Sequence, residues 1–203
     1  MIGRVFRIFR EKGGILKALD LWDWYENLDP KKQKVVKYYF SLKSIKNLRF
    51  PYKAKHFDSG HIEQTPYTKR TFLGSIAQMA LLEGDTQNAE WLYLEALKME
   101  GTPIEAHMIL NDLLLLAQRE KDFEKMETYA RWDVELFEDY KETLKDKNGG
   151  SLPHINSFDV LLYLLERKGR YEEALKLISF MEKESVPYYQ EAKERIVQKA
   201  LNS

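Results

Sequence analysis

Residues 81 to 97 read LLEGDTQNAEWLYLEAL, and in this stretch small residues stand where two helices have to touch: Gly84 in the turn, then Ala89 and Ala96 with Tyr93 between them. Small side chains let helix axes approach closely while a large ring fills the next groove, so the spacing records helix-on-helix contact and not chemistry. Helical periodicity of this kind runs through most of the chain. Leucine, alanine, glutamate and lysine are plentiful and Val/Ile/Thr alternation is scarce, which predicts an all-α fold. With 203 residues the chain is long enough to bury a core in one domain carrying a helical extension.

Three segments are similar to one another at the length of a helical-pair repeat. In the first, Phe72 to Pro103, Ala77 and Ala80 on one helix meet Ala89, Tyr93 and Ala96 on the next. The third, Phe158 to Pro187, repeats the pattern with Leu161, Leu162, Gly169, Tyr171 and Ala174. The middle one, Glu105 to Phe137, keeps Ala117, Asp122 and Phe123 in register but has Met126 and Asp133 where small residues are expected. Turns recur at Gly84, Lys121 and Gly169, intervals of 37 and 48 residues. The longer interval matches a loop at 145–157 marked by Asn148, Gly149, Gly150 and Pro153, and a long helix from Phe123 to Leu144 also fits it. The final stretch reads as a capping helix opened by Pro187, with Tyr189, Ala192, Ile196, Val197 and Ala200 inward and Lys193, Glu194 and Lys199 outward.

These segments resemble the tetratricopeptide repeat family. The resemblance implies helical-hairpin repeats wound into an α-α superhelix over residues 67–203, with about three helix pairs and a C-terminal cap, preceded by an N-terminal helical extension at 1–66. It also implies a concave groove that holds a segment of a partner protein. The positions that helix contact leaves over would line it: Thr71, Gly74, Gln78 and Leu81 in the first pair, Met108, Asn111, Leu115 and Gln118 in the second, Asn156, Asp159, Tyr163 and Glu166 in the third. Family members that clamp a C-terminal carboxylate use Lys, Asn and Arg there. This chain has no Lys or Arg at those positions, and Asp159 and Glu166 would repel a carboxylate, so the expected ligand is an apolar or neutral segment whose backbone meets amide side chains. A peptide-sensing regulator would use the same groove. The plainer alternative to a repeat array is an ordinary helical bundle.

The N-terminal third is different. Gly13-Gly14 reads as a simple turn signal. A helix is expected from Ile15 to Leu28, its inner face stepping through Leu16, Leu19, Trp22 and Tyr25 or Glu26. Asp29 then caps a second helix, with Pro30 at its first position and Gln33 where a capping box would sit, and this helix carries Val35, Val36, Tyr38, Tyr39, Phe40 and Leu42. Residues 46–66, punctuated by Pro51, Gly60 and Pro66, read as a loop too long for a mere connector.

Net charge is zero but unevenly distributed: residues 1–70 hold 16 basic and 7 acidic side chains, and residues 71–203 hold 16 and 25. The basic excess peaks at Lys31, Lys32, Lys34, Lys37, Lys43, Lys46, Arg49, Lys53 and Lys55, with no acid among them. Such a surface would draw an anion, a membrane or an acidic protein face, would dock on the acidic half of its own chain, or would join copies into a homo-oligomer. Nucleic acid is the alternative partner, since lysines alternate here with rings on which bases could stack. Against it, Val35, Val36, Tyr39 and Phe40 are spaced as core, which leaves the lysines as the wet face of the same helix. Membrane adsorption would use Val5, Phe6, Ile8 and Phe9 with Arg4, Arg7 and Arg10.

Chemistry finds little support. The chain has no cysteine, which rules out disulfides, thiolate metal sites and cysteine nucleophiles and suits a reducing, cytoplasmic setting. His56 and His61 share a loop with Asp58 and Glu63, but at no metal-binding spacing, and His107 falls on a helix as a contact or groove residue. No phosphate-binding glycine loop and no nucleophile elbow occurs, and Glu172-Glu173 belong to a helix start. No apolar run reaches bilayer length and no signal peptide is visible. The expectation is a non-catalytic binding protein that needs no cofactor or metal.

Overall fold

A computed structural model describes residues 12–47, 49–187 and 189–201. The membrane-adsorption residues Val5, Phe6, Ile8 and Phe9, with their arginines, lie outside these ranges. Among the described residues the fold is all-α: eleven α-helices and one short 3-10 helix, with no strand. Contacts divide the chain into two compact units, Met1–Glu100 and Gly101–Ser203. The first helical pair of the repeat-like region therefore groups with the N-terminal third, whereas the sequence pattern places a division at residue 66.

Among the described residues the first unit opens with α1 (Gly14–Ala18), α2 (Trp22–Asn27) and α3 (Pro30–Lys46). The single helix expected over 15–28 is broken: Asp20 adopts a left-handed conformation at φ 51°, which turns the chain so that Leu16, Leu19 and Leu21 all face inward. Asp29 caps α3 as expected, its carboxylate accepting from the Lys31 and Lys32 amides at 2.8 and 3.0 Å. Gln33 makes no capping box. Its amide donates to the Leu28 carbonyl at 3.0 Å and ties α3 to the end of α2.

Among the described residues the stretch expected as a long loop lacks α-helix beyond Lys46 but sends Phe50, Tyr52 and Phe57 into the core. A 3-10 helix at Ala54–Phe57 seats Phe57, fully buried, 5.2 Å from Phe40 and 5.2 Å from Tyr25, and Phe50 and Phe72 complete the cluster around Phe40 at 5.4 and 6.0 Å. Edge and tilted ring pairs of this kind contribute about 0.5–1.5 kcal/mol each beyond their burial. Gly13-Gly14 is more than a turn signal. The Gly14 amide donates to the Gly60 carbonyl at 2.7 Å, and a Cβ on Gly14 would lie 2.6 Å from the His56 carbonyl oxygen, so two backbone segments meet where no side chain fits.

Helices α4 (Lys69–Leu82) and α5 (Thr86–Leu97) form the hairpin around Gly84, with Ala77, Ala80, Ala89, Tyr93 and Ala96 all buried between them. Thr71 belongs to the cap of α4, its amide bonded to the Thr68 hydroxyl at 3.0 Å, and is not left over for a groove. Asp85 caps α5 by accepting from the Asn88 amide at 3.1 Å and also accepts from the Tyr39 hydroxyl at 2.6 Å, which joins α3 to the hairpin.

The second unit contains α6 (Pro103–Glu120), α7 (Phe123–Glu135), α8 (Phe137–Lys147), α9 (Asn156–Arg167), α10 (Tyr171–Lys183) and α11 (Gln190–Leu201). Lys121, at φ 58°, makes the tight turn from α6 to α7. The long helix expected from Phe123 to Leu144 is instead two, bent at Leu136. The bend places Phe137 against Phe158 and Phe180 at 5.2 and 5.9 Å and buries Tyr140 completely. Because α8 runs on to Lys147, the loop expected at 145–157 shrinks to residues 148–155. Helix α7 packs on both α6 and α9, α10 packs on α9, and α11 packs on α10. The capping helix starts at Gln190, later than Pro187 suggests, and buries Ile196 while Val197 stays exposed.

Candidate functional site

The groove positions of the second unit fall on the outward sides of α6 and α9. Three large apolar side chains stand out there: Met108 and Leu115 on α6, 61% and 45% exposed, and Tyr163 on α9, 50% exposed. Asn111, one turn from Met108, is half-buried. The Asn156 amide donates to the Gln118 carboxamide oxygen at 3.3 Å, which links the two helices. Since Leu115 lies one turn before Gln118, and Tyr163 two turns after Asn156, the amide pair sits on the apolar side of both helices. Asp159 is half-buried and bonded to the imidazole of His154. In the first unit Gln78 is exposed and Leu81 half-buried on α4.

Glu166 does not belong to this surface. It is buried, and Arg195 of α11 grips it through both carboxylate oxygens at 2.8 Å while Lys199 donates at 2.8 Å. The Arg195 hydrogen bond, then that of Lys199, outweighs burial and holds the Glu166 carboxyl at about 2. Lys199 and Lys193 stay half-exposed, as expected, and are also paired: Lys199 with Glu166, and Lys193 with Glu182 at 2.5 Å.

Helices α6 to α9 converge on a polar cluster that the sequence pattern missed. Asp133, 2% exposed, accepts from His107 Nδ1 at 2.8 Å on one oxygen and from the Ser157 hydroxyl at 2.6 Å on the other. The His107 ring stacks on Tyr140 with centroids 4.3 Å apart. Burial first, and the Asp133 charge second, push the Tyr140 hydroxyl well above its ordinary range. Since a carboxylate only accepts, Nδ1 carries the proton. The order also limits the chemistry. In a nucleophilic triad the imidazole stands between hydroxyl and carboxylate, whereas here the carboxylate stands between hydroxyl and imidazole and Ser157 is 1% exposed. The cluster is a clamp that fixes α8 against its neighbours. Its one sequence signal was the misfit of Asp133 at a small-residue position.

No family model matches the chain, and no solved structure matches it. A protein of Aquifex aeolicus (strain VF5), described as an uncharacterized protein, is 64% identical over 201 residues that cover 98% of this chain and 99% of that one. The chain belongs to that protein's family.

In this family member much of the basic stretch is committed to the fold. Lys43 is buried, not on the surface; it donates to the Ser75 carbonyl at 3.1 Å, and burial lowers its pKa. Lys37 pairs with Asp58 at 2.5 Å, Lys46 pairs with Glu83, and Lys32 donates to Asn88 at 3.1 Å while its ammonium lies 4.0 Å above the Trp91 ring. The N-terminal third is thus seated on the first helical pair. Lys31, Lys34, Arg49, Lys53 and Lys55 stand in solvent. His56 accepts from the Lys53 amide at 3.3 Å, and His61 is exposed beside Glu63. Among the described residues no helix is long and apolar enough to cross a membrane.

Proposed function

We propose that this chain is a non-catalytic protein-interaction module of tetratricopeptide-like build, an adaptor or scaffold that holds a partner segment against the outward faces of α6 and α9. The observation that carries the reading is the exposure of Met108, Leu115 and Tyr163 on two helices whose other faces are fully used in the core, with the Gln118–Asn156 amide pair beside them. Large apolar groups bordered by amides suit a neutral segment that buries one or two apolar side chains and bonds its backbone to the amides. The helical hairpins α4/α5, α6/α7 and α9/α10, turning at Gly84, Lys121 and Gly169 with positive φ, support the repeat reading. A cytoplasmic setting suits a chain without cysteine. The reading asks for no cofactor or metal.

A displayed peptide library panned on the full-length protein tests it. Selected peptides should carry Leu, Ile or Phe among uncharged residues, and Leu115→Asp should weaken a selected peptide at least ~10-fold, about 1.4 kcal/mol. If panning enriches nothing, or the selected peptides bind Leu115→Asp and Tyr163→Asp as they bind the parent protein, the reading fails.

A further inference from the structure

Two exposed strips, one in each unit, are complementary and unused by the binding face on α6 and α9. On α3, Lys31, Lys34, Tyr38 and Ile45 fall on one side of the helix, opposite the buried Val36, Tyr39, Phe40 and Lys43. Tyr38 and Ile45 are 57% and 71% exposed, and Arg49 continues the positive charge beyond the helix. An α3 that turned one apolar side to the core and a purely charged side to water would need neither ring nor branched chain at these positions.

The second strip crosses the bend from α7 to α8. Trp132, 42% exposed, is followed by Glu135, Glu138, Asp139, Glu142 and Asp146, all on the outward side. Lys141 and Lys145 partly neutralise Glu138 and Glu142 from below, whereas Glu135, Asp139 and Asp146 make no ion pair among the described residues. An exposed indole in a stretch with three open carboxylates is the counterpart of an exposed phenol and isoleucine in a stretch with three open cations.

We infer that copies of this chain associate head to tail, the α3 strip of one copy seated on the α7–α8 strip of the next. A formal net charge of zero means that copies do not repel as wholes, while each strip attracts its opposite. The strips are different surfaces, so the contact is heterologous: every copy keeps one of each free until a ring closes or a chain grows. This assembly goes beyond the partner-binding reading and uses other residues, so either can fail alone.

The experiment is light scattering and sedimentation of the full-length protein over a concentration series at low and high salt. At low salt the apparent mass should rise with concentration to about twofold or more above the 24.1 kDa monomer, and near ~0.5 M salt it should fall back, because screening shortens the reach of exposed charges to a few Å. Two double variants sharpen the result: Lys31→Glu with Lys34→Glu, and Glu135→Lys with Asp139→Lys. Each alone should stay monomeric. Mixed in equal amounts they should associate, since the first keeps an acidic α7–α8 strip and the second a basic α3 strip. A wild-type protein that is monomeric at every concentration and low salt overturns the inference, as does a mixture that stays monomeric. Labelled RNA that binds the monomer and is lost in Lys31→Glu with Lys34→Glu overturns it in favour of nucleic acid.

Discussion

In the first unit, distant segments are joined by rings and by bare backbone: Phe40 gathers Phe50, Phe57 and Phe72, and Gly14 meets the His56 and Phe57 carbonyls with no room for a methyl group. In the second, Phe137 gathers Phe158 and Phe180, and three carboxylates join further segments. Asp133 holds His107 and Ser157, Glu127 holds Arg131, Lys168 and Arg170, and Glu166 holds Arg195 and Lys199. Each unit has contacts of both kinds, Lys37 with Asp58 in the first and Phe137 on Phe158 and Phe180 in the second, yet the closest backbone approach lies in the first and the densest ion-pair network in the second. Perturbing shape should therefore damage the first unit, and perturbing protonation the second.

The largest effect is expected from Gly14→Ala. The residue has φ +67°, and the new Cβ would press on three backbone atoms that have no flexible end to move, so the loss should reach about 3–5 kcal/mol. Gly84→Ala is the control: φ is +80° but nothing lies within 4 Å, and the loss should stay near 1–2 kcal/mol. Urea titrations of both variants measure the gap, and equal losses would contradict the close-approach account.

Asp133→Ala comes next. It leaves His107 and Ser157 without their acceptor inside the core, at about 2–4 kcal/mol. Hydrogen exchange should show α8 opening before α4 and α5; unchanged protection of α8 would dismiss the clamp.

Acid should have a smaller effect than Asp133→Ala, about 1–3 kcal/mol after screening at the half-exposed Arg195 and Lys199. Burial works against the Glu127 charge, but Lys168 and Arg131 outweigh it and hold the carboxyl at about 2, as Arg195 and Lys199 do for Glu166. Both values lie below the ordinary 4.5, so the folded state binds these protons less readily than the unfolded one. The stabilisation is complete above about 4.5 and disappears as pH falls toward 2. Amide protection measured across that window should fall in α9 to α11 ahead of α4 and α5. A loss confined to α4 and α5 would reverse the comparison.

What the sequence reveals follows from how local each feature is. Gly84, Lys121 and Gly169 mark turns because a positive φ leaves its trace at one residue, and Asp29 with Pro30 marks a helix start within two. Phe50, Tyr52 and Phe57 are unreadable as core because they follow no period; Phe40 meets Phe50 and Phe57, and Tyr67 meets Tyr52, only through the folded chain. For the same reason the burial of Glu166 is not legible in its spacing: Arg195 lies 29 residues away and no spacing rule connects them. Met108, Leu115 and Tyr163 are exposed, and helix spacing makes that legible, since exposure on a helix is a matter of angle alone. The bend at Leu136 escaped because both flanking stretches favour helix, and only the destinations of Phe137 and Tyr140 decide it.

Asp85 has one further implication. The carboxylate that starts α5 also receives the Tyr39 hydroxyl, and these bonds together keep its pKa lowered although burial opposes the charge. The two events draw on one pair of oxygens. Whatever pulls α3 outward removes a donor from the end of α5 at the same moment, so a helix that touches no ligand would still register, in the fraying of its first turn, that something had taken hold of α3.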